Sequence, residues 1–238
     1  MQTRDHTTDQ ISSEAPLGFL AVEVDIHRPP GDPFNENTWP FPLIREKVTG
    51  TRESQLVTNG AYDDAFINQF VTAGLKLAER GAVGIITSCG FLAAAQKRLA
   101  ARLPIPVATS ALVQIPSLQA IFPANRPIGI LTYDSASVRI WGLSDDSHLR
   151  DICARGAKYD AALLEKELVD EANALVSRHP EVIAIVLECT NMPPYADKIQ
   201  DAVQLPVYDV YTMGQWFYSG LQRRNPTHWT LSLQDTGT

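Results

Sequence analysis

The feature that most constrains this 238-residue chain is a set of landmarks that recurs about 100 residues further on. Cys89 follows the apolar run Val83-Gly-Ile-Ile86, and Cys189 follows Val182-Ile-Ala-Ile-Val-Leu187. Ile85/Ile185, Pro106/Pro206 and Val107/Val207 keep the same spacing, so each cysteine is followed at a fixed distance by a proline that opens another apolar run. Tyr62-Asp63 and Tyr159-Asp160 precede the two long helical stretches. Earlier still, Pro16-x-Gly18-x-Leu20-x-x-Glu23 matches Pro127-x-Gly129-x-Leu131-x-x-Asp134. Each match alone is weak; the same order in both halves implies two similar lobes.

Continuous apolar runs are the mark of parallel strands covered on both faces. Their alternation with helical stretches predicts an α/β fold with right-handed crossovers. The expected strands are 17–22, 82–88, 105–109, 127–132, 182–188 and 206–210. The expected helices cover 62–80, 91–102, 111–122, parts of 136–178, 194–203 and 212–222. The architecture expected is two similar doubly wound parallel-sheet lobes related by pseudo-twofold symmetry, with the site in the cleft between them. Lobe one is expected to comprise 16–109 plus 212–238 and to carry Cys89. Lobe two, 110–211, carries Cys189, and 1–15 reads as a flexible arm because nothing apolar in it has a period.

The proline-dense stretch 29–42 leaves the first strand where a cleft would lie. Long irregular segments in compact domains are usually functional. Its Phe34, Trp39 and Phe41 are expected to cover the cleft or a partner subunit. The net charge of −7 and a pI near 5.2 argue against nucleic acid, which requires a basic face. No apolar run reaches the roughly 18 residues of a membrane span, and the first residues lack the apolar centre of a secretory signal. Three cysteines without a C-x-x-C are too few for a disulfide or zinc framework. The reading is a cytoplasmic protein with free thiols, no membrane partner, no metal and no cofactor.

Open parallel sheets bind ligands outside the carboxyl ends of their strands. Two such ends facing each other would place Cys89 and Cys189 on opposite sides of one ligand. A thiol at a helix start has its thiolate favoured by the helix dipole and by backbone N–H groups. Donors in Ser88-Cys89-Gly90 and Cys189-Thr190-Asn191 could hold a substrate carboxylate. Thr132 and Tyr133 end the first strand of lobe two and face the same cleft; His27 and Arg28 could also reach a carboxylate. Two thiols, one ionised and one not, can remove and return a proton. Cys153, in a helical stretch without a counterpart, reads as a packing residue. His179 opens the strand that Cys189 closes, so it belongs at the far end of the sheet. Asp145-Asp146 reads as a solvated helix start.

These motifs resemble the aspartate/glutamate racemase superfamily, which works without pyridoxal phosphate. Glu188-Cys189-Thr190-Asn191 is similar to that family's Gly-Cys-Thr signature. Thr87-Ser88-Cys89-Gly90-Phe91 keeps the first cysteine but departs from the Cys-Asn-Thr of glutamate racemases. The chain is most similar to members carrying Cys-Gly-Phe-Leu and Cys-Thr-Asn-Met-Pro-Pro-Tyr. The resemblance implies a cofactor-independent racemase or epimerase for a small carboxylate-bearing, amino-acid-like substrate, with Cys89 and Cys189 as acid and base. It also implies a homodimer, and an acid at the end of the first strand assisting the first cysteine. Glu23 holds that place, with Asp25 as the second choice. Alternatives on the same scaffold are a decarboxylase of the arylmalonate type, a maleate cis–trans isomerase, and a relative that binds a small molecule without turnover.

Overall fold

The computed structural model describes residues 14–51, 53–58, 61–123, 126–134 and 141–225. The arm expected at 1–15 therefore lies almost wholly outside the described residues. The described strands are β1 (Leu17–Val22), β2 (Leu43–Val48), β3 (Ile85–Thr87), β4 (Val107–Ala108), β5 (Ile128–Thr132), β6 (Trp141–Gly142), β7 (Ala184–Leu187) and β8 (Val207–Tyr208). They form two four-stranded sheets in the same spatial order, β2-β1-β3-β4 and β6-β5-β7-β8, parallel throughout. The α-helices are α1 (Glu53–Leu56), α2 (Asp64–Glu79), α3 (Gln96–Ala100), α4 (Ile115–Ile121), α5 (His148–Arg155), α6 (Ala161–Arg178), α7 (Ala196–Val203) and α8 (Val210–Leu221). The α/β class and the two-lobe architecture are thus present.

The repeat in the sequence is a repeat in register. Gly18 pairs with Ile85 and Gly129 with Ile185; Ile85 then pairs with Val107 and Ile185 with Val207. The two glycines share a physical reason. A Cβ on Gly18 would stand 3.1 Å from the Leu77 side chain of α2, and one on Gly129 would stand 3.1 Å from Leu175 of α6. Each sheet can therefore approach its long helix only where a side chain is missing. Those helices start at side-chain caps, Asp63 accepting from the Phe66 amide and Asp160 from the amides of Ala162 and Leu163. Each buries one stripe, including Phe66, Phe70 and Leu77 in α2 and Leu164, Leu168 and Leu175 in α6.

Two strands depart from the sequence expectation. The Leu43–Val48 run carries Arg45, Glu46 and Lys47, so it lacks the apolar character of a central strand. It is an edge strand beside β1, where one side faces solvent. Its counterpart β6 is two residues long and lies where helix was expected.

The aromatic residues of segment 29–42 do not cover the cleft as expected. Phe34, Trp39 and Phe41 join a cluster with Leu17, Phe19, Met213 and Tyr218, between the first sheet and α8. Trp39 fits there because Gly214 has no side chain: a Cβ would lie 2.4 Å from the indole ring. The indole N–H donates to the Pro33 carbonyl at 2.8 Å, and Phe41 stacks on Tyr218 with ring centroids 3.9 Å apart. Burying such side chains against an existing helix face stabilises the fold by roughly 1.5–3 kcal/mol each, which an open cleft would not provide. Among the described residues no helix is long and apolar enough to cross a membrane.

Candidate active site

The carboxyl ends of β3 and β7 meet at a seam between the lobes. The Thr190 hydroxyl donates to the Ser88 carbonyl at 2.7 Å, joining the two strand-end segments directly. Gly90 lies so close to Glu188 that a Cβ would stand 2.1 Å from both its carbonyl oxygen and its Oε1. Only glycine permits that approach. Phe91, one residue on, is buried in the core of the second lobe, so lobe one is anchored in its neighbour.

A cleft of about 500 Å³, counting its open mouth, lies over this seam. Cys89 and Cys189 both line it, together with Ser88, Gly90, Tyr133, Thr190 and Asn191 from the predicted set. Arg28, Glu188 and Cys153 line it as well. Thr132 is fully buried beneath the cleft, its hydroxyl donating to Glu188 Oε2 at 2.7 Å. Ser88 and Thr190 likewise serve the seam: Ser88 Oγ accepts from the Val22 amide, and Thr190 makes the bond described above. Glu23 is exposed, and its carboxylate accepts from the Gly50 amide at 2.7 Å. Neither Glu23 nor Asp25 is among the residues lining the cleft. His179 is half exposed and pairs with Glu181 at the opposite end of the second sheet.

The loop after β1 contributes through its polar residues. Arg28 pairs with buried Asp32 at 3.1 Å and donates to the Val24 carbonyl. The same Asp32 oxygen accepts from Asn191 Nδ2 at 2.9 Å. With its amide nitrogen held this way, Asn191 turns Oδ1 toward two thiols, Cys189 Sγ at 3.7 Å and Cys153 Sγ at 3.8 Å. Cys153 packs against the core of the second lobe, as the sequence reading has it, and also lines the cleft, which that reading did not foresee. Nothing local could have revealed it, because α5 reaches the site only through the fold of lobe two.

The two principal thiols differ in their surroundings. Cys189 is 8% exposed, and burial pushes its thiol well above the usual range, with further contributions from Glu188, Cys153 and Cys89. Cys89 is more exposed and is the N-cap residue of the 3-10 helix Gly90–Ala95. Glu188 was singled out in sequence only as part of a motif, yet it has the most unusual environment. Burial pushes its carboxyl up to about 7, against the hydrogen bonds from Thr132 and Tyr133, and Asp134 adds to the rise. One of its oxygens, Oε1, is buried with no hydrogen-bond partner.

No protein-family model matches the chain. A dimethylsulfoniopropionate lyase of Durusdinium sp. clade D is 26% identical over 227 residues, covering 87% of this chain and 75% of that protein. Dimethylsulfoniopropionate lyase 5 of Emiliania huxleyi strain CCMP1516 is 27% identical over 242 residues, covering 91% of this chain but 48% of the relative. The chain thus spans about half the length of the second relative. Among solved structures, arylmalonate decarboxylase superposes with a TM-score of 0.58 at 16% identity, over 89% of this chain and 94% of that one. Allantoin racemase from Klebsiella pneumoniae gives 0.56 at 12% identity, covering 86% and 87%. Glutamate racemase from Thermus thermophilus gives 0.52 at 16% identity, covering 90% and 84%.

The chain shares its fold with arylmalonate decarboxylase and with the allantoin and glutamate racemases. The racemase function expected from the resemblance does not stand. Five curated proteins match, and all five are dimethylsulfoniopropionate lyases. They point to a lyase rather than an isomerase.

Proposed function

We propose that the chain is a lyase acting on a 3-sulfoniopropionate such as dimethylsulfoniopropionate, working by β-elimination. The observation that carries the reading is a cleft holding two strand-end thiols and Arg28, in a chain whose curated relatives bear that name. Elimination needs a base at the carbon next to the carboxylate and a leaving group on the next carbon. The thiolate of Cys89 takes the α-proton: the C–H bond breaks and S–H forms. The released pair becomes the Cα=Cβ bond, and the C–S bond breaks with its electrons on sulfur. A neutral dialkyl sulfide departs and acrylate remains, after which Cys89 returns its proton to solvent.

The assignment of the two thiols follows from their surroundings. A base must be ionised, and only the thiolate is an effective proton acceptor. Cys189 is buried beside Glu188, which favours the neutral thiol; Cys89 is the less buried of the two. Cys189 then serves as a fixed S–H group opposite the base. Arg28 is the cation in the cleft lining and offers donors for the substrate carboxylate, where charge builds as the α-proton leaves. Incubation with dimethylsulfoniopropionate, with headspace gas chromatography for dimethyl sulfide and liquid chromatography for acrylate, tests the reading. Equal amounts of both products are expected. Absence of sulfide release across a panel of 3-sulfoniopropionates would overturn it.

A further inference from the structure

We propose that Glu188 makes the cleft selective for zwitterions that carry a positive charge on the atom attached to the β-carbon of a carboxylate. This deepens the elimination reading and rests on it for the identity of the cation.

Glu188 lines the cleft from the second lobe and is 3% exposed, while Arg28 lines it from the first. The pocket therefore receives a basic side chain from one lobe and an acidic one from the other. Between them the lining is largely apolar, with Val22, Leu56, Val57 and Phe91 among its residues. A small dipolar ligand lies across such a pocket in one orientation, its carboxylate toward Arg28 and its cation toward Glu188.

The hydrogen bonding of Glu188 is half complete. Oε2 accepts from the Thr132 hydroxyl and, at 3.4 Å, from the Tyr133 amide, whereas Oε1 has no partner. The cations nearby are engaged elsewhere, Arg28 with Asp32 and Arg150 with Asp134 and Asp145. An ionised carboxylate buried without a countercharge is costly, and a ligand cation in the cleft would remove that cost. Charges separated by apolar surroundings interact over several ångströms, so the effect needs no direct bond to the ligand. A sulfonium has no N–H or O–H to donate, so field and shape are the means by which a protein can recognise it. The burial that raises the Glu188 carboxyl is consistent with this: the site lacks a charge that a cationic ligand brings.

The test compares two ligands of the same shape that differ by one charge, 3-(trimethylammonio)propionate and 4,4-dimethylpentanoate, titrated calorimetrically into the full chain. The wild type is expected to bind the ammonium compound about tenfold or more tightly, as for a partly screened charge pair. Glu188→Gln keeps an oxygen to accept from Thr132 and Tyr133, and should bring the two affinities within about threefold by weakening the ammonium compound alone. Thr132→Val removes a donor that favours the ionised carboxyl; it should reduce the preference in the same direction and serves if the first variant does not fold. Equal binding of both ligands by the wild type, binding of neither, or a preference kept intact in the variants would overturn the proposal. A retained ammonium preference in a protein that releases no sulfide would instead strike the elimination reading and leave the charge selectivity standing.

Discussion

The segments 87–91 and 187–191 occupy equivalent places in two lobes of equal topology, and their difference is chemical. Ser88 donates its amide to the Leu20 carbonyl, and Glu188 donates its amide to the matching Leu131 carbonyl. Ser88 Oγ accepts from the Val22 amide, while Glu188 Oε2 accepts from the amide of Tyr133, the counterpart of Val22. The same backbone donor therefore meets a hydroxyl in one lobe and a carboxyl in the other. The cysteine that follows is partly buried in lobe one and buried beside an acid in lobe two. A duplicated framework places two thiols, and burial together with the neighbouring Glu188 raises the one in lobe two.

The most direct way to break this comparison is to remove each thiol in turn. Cys89→Ala should reduce sulfide release by roughly a thousandfold, the scale of losing a positioned base. Cys189→Ala should cost less, roughly ten- to a hundredfold, as for a lost hydrogen-bond donor near developing charge. Initial rates by headspace chromatography decide it; a larger loss at Cys189 would reverse the assignment of base and fixed thiol.

The contact between the segments can be strained next. Gly90→Ala places a methyl where Glu188 already lies, with 2.1 Å to its carbonyl oxygen. Backbone must move to admit it, at a cost of roughly 1–3 kcal/mol. Thermal melting should show a drop of several degrees, while Gly220→Ala, where a Cβ meets nothing within 4 Å, should not produce it.

The acid that distinguishes lobe two should also appear in the pH dependence of stability. Its folded carboxyl ionises near 7 rather than 4.5, so between those values the folded chain keeps a proton that the unfolded chain has lost. Stability should decline as pH rises through that window, with the full cost, roughly 3 kcal/mol, present above about 7. Asp209, also raised by burial, contributes in the same direction at lower pH. Urea unfolding of wild type and Glu188→Gln at pH 5 and pH 8 isolates the Glu188 part; equal slopes in both proteins would contradict it. The smallest effect is expected at Cys153. Its replacement by Ala removes one contact to Asn191 and should leave turnover within about threefold of wild type, as for a modest truncation.

Much of the framework was legible because the repeat lies in positions that backbone geometry dictates. Gly18 and Gly129 mark where sheets approach helices, and Pro106 and Pro206 mark strand entries. The edge strands were not legible, since β2 mixes charges into its run and β6 is too short to show a period. Trp39 was legible as a residue needing cover, but its cover, a notch at Gly214, lies 175 positions away in sequence (214 − 39). The two strand-end thiols were visible in the sequence, and both line the cleft. Glu188 and Cys153 were visible only as letters, because a buried carboxyl and a neighbouring thiol acquire their meaning from residues of other elements.

The bonds from Thr190 to Ser88 and from Asn191 to Asp32 have a mechanical consequence. They fasten the lobes at residues one or two positions from Cys89 and Cys189. Any relative rotation of the lobes that preserves those bonds must use the line joining them as its axis. Points near an axis separate little, so the rim of the cleft could widen to admit a ligand while the segments that carry the two cysteines stay together. Admission and alignment would then be independent movements, and the chain could exchange ligand for product without reassembling its site at each cycle.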